Sequence, residues 1–129
     1  MLERINPADL HRPPTYTQVT VGRGNRIIFV SGQVGVDGQG AVVAPDLEAQ
    51  ARQAYANVRT ALAAAGAGVA DVAKLTTFVV DYHQGLRSVV TGARQEVLGE
   101  HLPASTLVGV AALALPEYLI EVEALAVLA

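Results

Sequence analysis

The spacing of apolar and polar residues along the chain predicts alternating strands and helices. Alternation predicts a strand because successive side chains point to opposite faces, whereas apolar positions three or four residues apart predict a helix. These patterns indicate the order β-β-α-β-α-β-β, in which helical connections make part of the sheet parallel. The sequence therefore predicts one α+β domain over residues 1–129, with a mixed sheet and two helices on one face.

The first two strands are predicted to pair as a hairpin. The chain alternates from Thr15 onward, a glycine-containing turn follows at 22–25, and residues 26–33 form an apolar, β-rich run. Residues 1–14 are polar and contain prolines, so we expect a surface lead-in there. The first and the last pair of strands are both expected to be antiparallel.

Two amphipathic stripes predict the helices. The first begins after Asp46, a suitable N-cap, and ends at a glycine-containing turn near residue 66. The second runs from Leu86 to about Gly99. Between them, residues 71–80 read as a strand. The apolar face of the first helix is rich in alanine, which permits close approach to a sheet.

Residues 103–129 contain two further strand-like runs, joined by a segment with Pro116. The last run places Glu121 and Glu123 on one strand face. Carboxylates rarely lie buried without a partner, so this face must meet water, a cation or a ligand cavity. Two interpretations stay open. Either the carboxylates form salt bridges at the rim of the sheet, or one lies in a partly apolar cleft and transfers protons.

Composition favours an oligomer and argues against several classes of partner. Only 16% of the residues are charged, against about 25% in typical soluble domains, and a subunit interface would account for the difference. The net charge is −3 and Lys74 is the sole lysine, so we expect no nucleic-acid partner. No apolar segment approaches the ~20 residues of a membrane span, and the N-terminus lacks a signal-peptide core, which predicts a cytoplasmic protein with no membrane partner.

Residue types that bind metals or act as nucleophiles form no recognisable motif. The chain has no cysteine, and His11, His83 and His101 fall in separate loops, where we expect them to be exposed and to bind no metal. No serine lies in a G-x-S-x-G motif. The glycines of SGQVGVDGQG match neither a dinucleotide nor a phosphate-binding motif, and are typical of turns. The alternative is that Gly32 lets a ligand approach the backbone closely at a strand end.

Several motifs together resemble the RidA/YjgF family, which includes the endoribonuclease L-PSP-like proteins. They are P-x-Y near the start, SGQ followed by D-x-x-G, A-x-x-A-Y-x-N-V on the first helix, the segment DVAKLTTFVVD and the ending IEVEALAV. The resemblance covers nearly the whole chain. It implies a chorismate-mutase-like fold and a homotrimer, with a central barrel of sheets and ligand clefts between subunits. It also implies hydrolysis of 2-imino or enamine acids to 2-keto acids and ammonia, without a metal or cofactor.

The resemblance also implies roles for individual residues. Tyr16 corresponds to the tyrosine that lines the family's cleft, and Gly32 to the glycine whose backbone meets the ligand. Glu121 corresponds to the glutamate proposed to activate or orient water. These three residues form the catalytic and ligand-binding set that the family resemblance predicts, with Glu121 as the catalytic residue.

Ser105 is where this chain departs from the family's deaminases. Those proteins read P-A-R-S, with an arginine that holds the substrate carboxylate, whereas this chain reads P-A-S-T at residues 103–106. A hydroxyl cannot replace the guanidinium fork, so Ser105 and Thr106 are predicted to line the cleft as small hydroxyl groups. Arg87 or Arg94 on the second helix could supply a displaced cation, although each is more simply predicted to be a solvated helix residue.

Two functions from different classes follow from this comparison. The first is a cofactor-free hydrolase of imine or enamine metabolites, deaminase-like but with weak or altered 2-imino-acid activity. The alternative is a non-enzymatic trimer that binds or senses a small metabolite. Nuclease or translation-inhibitor activity, reported for some family members, fits poorly with the acidic charge of this chain.

Overall fold

The computed structural model describes residues 2–129, which form two α-helices, six strands and two short 3₁₀ turns. In chain order the main elements are β1 (Leu2–Ile5), β2 (Val19–Gly22), β3 (Arg26–Val34), α1 (Leu47–Ala64), β4 (Val72–Val80), α2 (Arg87–Leu98), β5 (Ala104–Val110) and β6 (Ile120–Leu128). The predicted α+β class is confirmed. No helix within residues 2–129 is long and apolar enough to span a membrane.

Four strands form a mixed sheet in the order β3-β6-β4-β5, and β1 pairs only with β2 in a separate two-stranded sheet. Strands β4 and β5 are parallel because helix α2 connects them on one face. Strand β6 lies in the interior of the sheet and is antiparallel to both of its neighbours. This arrangement leaves β3 and β5 as the two edges of the sheet.

The predicted N-terminal hairpin is wrong, and so is the pairing of the last two strands. Strand β2 pairs with β1, which lies within the predicted lead-in, whereas β3 pairs with β6. Strand β4 separates β5 from β6. The nine-residue β3 matches the nine-residue β6, so their ladder is longer than any that the four-residue β2 could form.

Helix α1 has the predicted bounds and covers the inner face of the sheet. The Asp46 carboxylate accepts a hydrogen bond of 3.0 Å from the backbone N–H of Ala49, which satisfies a free donor of the first turn. After the helix, Gly66 adopts a φ of +80°, a conformation that disfavours any residue with a Cβ. The buried stripe of α1 includes Ala54 and Val58, which pack in one hydrophobic cluster with alternate residues of β4 and β6.

Gln50 is a buried polar residue on the same helix and joins two loops. Its side chain is fully buried, and its amide group donates to the carbonyls of Ala44 and Glu117 at 2.9 and 3.0 Å. Its side-chain oxygen accepts from the backbone N–H of Leu119 at 2.9 Å. These three bonds hold the segment before α1 against the connection that leads into β6.

No helix of the described chain covers the opposite face of the sheet, and β2 meets it near the end of β6, where Gly22 lies against Val127. Large apolar side chains are exposed there, with Phe29 at 75% and Ile27 at 61% exposure. Apolar side chains of this size are seldom left in water on a monomer when they form one contiguous surface. We call this surface the open face of the sheet.

His101 departs from the prediction that all three histidines are exposed. It is half-buried, with Nε2 at 2.8 Å from the carbonyl oxygen of Val72 and Nδ1 in contact with the Arg4 guanidinium. Burial lowers the pKa of His101, although the bond to Val72 opposes this shift. A neutral ring therefore donates through Nε2 and accepts through Nδ1. His11 and His83 are exposed.

Candidate functional site

A cavity of about 300 Å³ lies between the two helices, the edge of the sheet at β5 and the segment that precedes β2. Three tyrosines, several smaller hydroxyl side chains and two arginines form most of its wall, with little aliphatic surface. Its volume is at the small end of the range for ligand pockets, which suits a small metabolite. The wall provides many hydrogen-bond donors.

Tyr16 and Ser105, both predicted as site residues, line this cavity. Thr17, the residue after Tyr16, joins the segment before β2 to the segment before β5. Its backbone N–H donates to the carbonyl of Pro103 at 3.0 Å. The Thr17 hydroxyl also donates to the carbonyl of Leu102. Two adjacent bonds to the segment before β5 therefore fix Tyr16 close to the start of that strand.

Helix α2 brings two arginines to the cavity. Arg87, Thr91 and Arg94 line it at helical spacing, so they share one side of the helix. Arg94 is only 7% exposed, and the prediction of a solvated residue is wrong for it. The sequence contained a signal for this burial, because Arg94 follows the buried Val90 by four residues and so lies on the same face of the helix. Arg87 is exposed as predicted, but it also contributes to the cavity wall.

The guanidinium of Arg94 is buried without a carboxylate partner. Its Nη2 donates to the carbonyl of Thr15, and its Nε has no hydrogen-bond partner among residues 2–129. None of the ion pairs formed within that range includes Arg94. Burial lowers the pKa of Arg94, while the nearby Tyr55 opposes the shift. Arginine nevertheless keeps its proton in proteins, so the cavity wall carries a buried positive charge.

Tyr55 and Thr77 complete the inner wall of the cavity, and neither was predicted as a site residue. The Tyr55 hydroxyl lies 3.0 Å from the Thr77 hydroxyl oxygen, and both residues are buried. Burial raises the pKa of the Tyr55 phenol, and the hydrogen bond with Thr77 lowers it in part. The phenol is therefore neutral at ordinary pH. The sequence places Tyr55 in the helix motif A-x-x-A-Y-x-N-V, which was the available signal.

Gly32 and Glu121 lie together at the open face of the sheet. A Cβ placed on Gly32 would stand 2.6 Å from the carboxyl carbon of Glu121, so any larger residue would displace the carboxylate. Gly32 falls at the irregularity of β3, between Val30 and Gln33, where the pairing with β6 shifts register. Glu121 is half-buried, and none of the ion pairs within residues 2–129 includes it.

Thr106 also lies on the open face rather than in the cavity. Thr106 follows Ser105 on β5 and pairs with Thr76 of β4. Because successive side chains of a strand point to opposite faces, the Thr106 side chain lies on the opposite side of the sheet from that of Ser105. Its hydroxyl oxygen accepts from Lys74 Nζ at 2.7 Å. Glu123 lines a shallow depression with Lys74 and forms no ion pair among the described residues.

The predicted site residues therefore fall into two groups on opposite faces of the sheet. Tyr16 and Ser105 belong to the cavity, whereas Gly32, Thr106 and Glu121 belong to the open face. The four-stranded sheet separates the groups within one chain. Residues 2–129 contain no cluster of three acidic or histidine side chains able to hold a metal ion.

The fold and the site describe a small α+β protein with a donor-rich cavity on one side of its sheet and a carboxylate on the other. Residues 9–128 match the model of the family described as endoribonuclease L-PSP. The chain thus belongs to this family, the RidA/YjgF family that its motifs resemble.

Individual relatives cover most of the chain. A 2-iminobutanoate/2-iminopropanoate deaminase from Salmonella typhimurium is 38% identical over 104 residues, which cover 78% of this chain and 79% of the relative. A crystal structure of a Rid-family protein of unknown function from Yersinia pestis matches with a TM-score of 0.92 and 34% identity, over 98% of each chain. Escherichia coli TdcF with bound serine matches with a TM-score of 0.72 and 31% identity, over 93% of this chain and 91% of that one.

Proposed function

We propose that this protein is a cytoplasmic, cofactor-free hydrolase of small imine or enamine metabolites. Its site would be completed between two copies of the chain. The observation that carries the proposal is the separation of the cavity from the Gly32–Glu121 pair on opposite faces of one sheet. A second copy that applies its open face to the cavity of the first would supply the missing carboxylate. The deaminase relatives, at 38% and 39% identity, support imines as the substrate class.

The proposed hydrolysis needs one residue that accepts a proton from water, and Glu121, next to the Gly32 backbone, is that residue. Glu121 takes a proton from water as the water oxygen attacks the imine carbon, and passes it to the nitrogen to give a carbinolamine. The carboxylate then moves the hydroxyl proton to the nitrogen as the C=O bond forms and the C–N bond breaks. The products are a carbonyl compound and ammonia. Gly32 leaves room for the carboxylate itself, because a Cβ at this position would stand 2.6 Å from the carboxyl carbon of Glu121.

The test of this function is hydrolysis of 2-iminopropanoate formed in the assay by an amino-acid oxidase. We expect keto acid to form faster than in the uncatalysed reaction. The rate should differ from that of an arginine-bearing relative, since Ser105 removes the strand-borne guanidinium. Equal rates with and without the protein, for carboxylate imines and for neutral ones, would contradict a hydrolase. A rate equal to that of the relative would contradict the altered activity.

The assembly we propose is a homotrimer in which the open face of the sheet is buried. We expect Phe29→Arg to dissociate the oligomer, because it would place a charge among apolar side chains at the subunit contact. Sedimentation velocity measures the change, and imine hydrolysis should be lost with the assembly. Leu10→Arg is the matched control, since Leu10 is also exposed but lies outside the sheet. A monomeric wild-type protein, or an intact Phe29→Arg oligomer, would contradict the proposal.

A second candidate is a trimer that binds a metabolite without consuming it. The observation in its favour is the serine bound in the structure of Escherichia coli TdcF. On this hypothesis, an amino acid or keto acid would raise the melting temperature of this protein and be recovered unchanged.

A further inference from the structure

We propose that Arg94 anchors a small carboxylate ligand in the cavity, so that the anion is held from helix α2 and not from strand β5. This inference rests on the proposed function, because it concerns the ligand of the same site. It assigns a binding role to Arg94, which lies eight residues beyond the helix start predicted at Leu86 and lines the cavity together with Ser105.

The first support is the state of the Arg94 side chain. It is 7% exposed and lines the cavity, with a single hydrogen bond to the carbonyl of Thr15 and an unpartnered Nε. A guanidinium has five N–H donors, so most of its hydrogen-bonding capacity is unused by residues 2–129. A buried charge without a counterion is costly, and a bound carboxylate would relieve that cost with paired, charge-assisted hydrogen bonds.

The second support is the charge of the cavity as a whole. No aspartate or glutamate lines it, although the chain has a formal net charge of −3. Arg87 adds a second positive charge, seven residues before Arg94 on the same side of α2. Even with Glu121 of a second copy added, Arg87 and Arg94 leave the cavity with a net positive charge among hydroxyl donors such as Ser105 and Tyr55. This environment favours a small anion over a neutral or cationic ligand.

The third support is the position of Ser105. It lines the same cavity as Arg94, and its short side chain leaves open the space that a longer residue would fill. A guanidinium introduced at residue 105 would therefore enter the same cavity from the strand side. This geometry permits a rescue experiment in which the cation is removed from one wall and supplied from the other.

The experiment measures binding of pyruvate, a carboxylate that cannot be hydrolysed, to the assembled protein by calorimetry at low salt. We expect Arg94→Gln to weaken binding by at least about 30-fold, because glutamine keeps a polar amide but carries no charge. Adding Ser105→Arg to this variant should restore most of the affinity. Arg59→Gln is the matched control, since Arg59 also donates to a backbone carbonyl but lies on α1, outside the cavity wall.

A measurement on the wild-type protein covers the case in which Arg94→Gln does not fold. The Nε–H resonance of Arg94 should shift on titration with pyruvate and stay in place with methyl pyruvate, its neutral ester. No shift with pyruvate would overturn the proposal, as would a folded Arg94→Gln variant with wild-type affinity. Phosphate bound more tightly than pyruvate would overturn the carboxylate assignment.

Failure of the proposed function would look different. Pyruvate bound through Arg94, in a protein that hydrolyses no imine, would refute the hydrolase and leave the anchor in place. Imine hydrolysis with an unchanged KM in Arg94→Gln would refute the anchor and leave the hydrolase in place.

Discussion

Replacing Glu121 with glutamine is expected to lower kcat for imine hydrolysis by about 100-fold or more, with the fold unchanged. Glutamine has nearly the same shape as glutamate but cannot accept a proton from water. The carboxylate is half-buried and free of ion pairs among residues 2–129, so its loss breaks no salt bridge within the chain. The measurement is kcat for keto-acid formation, with the melting temperature as the check on folding.

Glu123→Gln is the control for this prediction. Glu123 lies two residues away on the same face of β6, so the change in net charge is identical, but it is exposed, and the atoms nearest to a Cβ built on Gly32 belong to Glu121. We expect kcat to stay within a few-fold of wild type. Equal losses in the two variants would indicate a general effect of charge on the open face, and an active Glu121→Gln would exclude Glu121 as the proton acceptor.

Replacing Gln50 with leucine is expected to lower the free energy of unfolding by about 3 kcal/mol or more. Leucine is of similar size, but it leaves the carbonyls of Ala44 and Glu117 and the N–H of Leu119 without their partner. The site is fully buried, so water cannot replace these bonds without rearrangement. Urea denaturation, read as a lower midpoint at constant slope, measures the change.

Gln53→Leu on the same helix is the matched control for that variant. Gln53 is only partly buried and donates to one side-chain oxygen, that of Asn57 at 2.8 Å. We expect its loss to cost about 1 kcal/mol or less. If Gln50→Leu were as stable as Gln53→Leu, the three bonds of Gln50 would contribute nothing net, and the two loops would be held by other contacts.

The position of Gly32 shows how a backbone irregularity and a site residue depend on each other. The register shift in β3 occurs between Val30 and Gln33, and Gly32 within it faces the Glu121 carboxylate closely. A strand without this irregularity would point a different set of side chains at the open face, because strand positions alternate. The interpretation of the glycine motif as a turn therefore did not predict the contact between Gly32 and the Glu121 carboxylate.

Local spacing by itself determined the helices and most of the strands, and the motifs that resemble the RidA/YjgF family predicted the family. The N-cap at Asp46, the end of α2 near Gly99 and the strand over residues 72–80 all follow from contacts within a few residues along the chain. The alternation in β6 also placed Glu121 and Glu123 on one face, as predicted. These features need no knowledge of distant segments, so the sequence was sufficient for them.

Only the tertiary structure decided which strands pair and which charged residues are buried. The alternation of apolar and polar residues along a strand is the same whichever strand lies next to it. It therefore could not show that β3 pairs with β6 and not with β2. The buried Arg94 guanidinium is hydrogen-bonded to the carbonyl of Thr15, which is distant in the sequence, and the separation of Ser105 from Glu121 depends on the sheet between them. Contacts between segments that are distant in the sequence determine both the strand pairing and the burial of charged residues, and local sequence patterns do not predict such contacts.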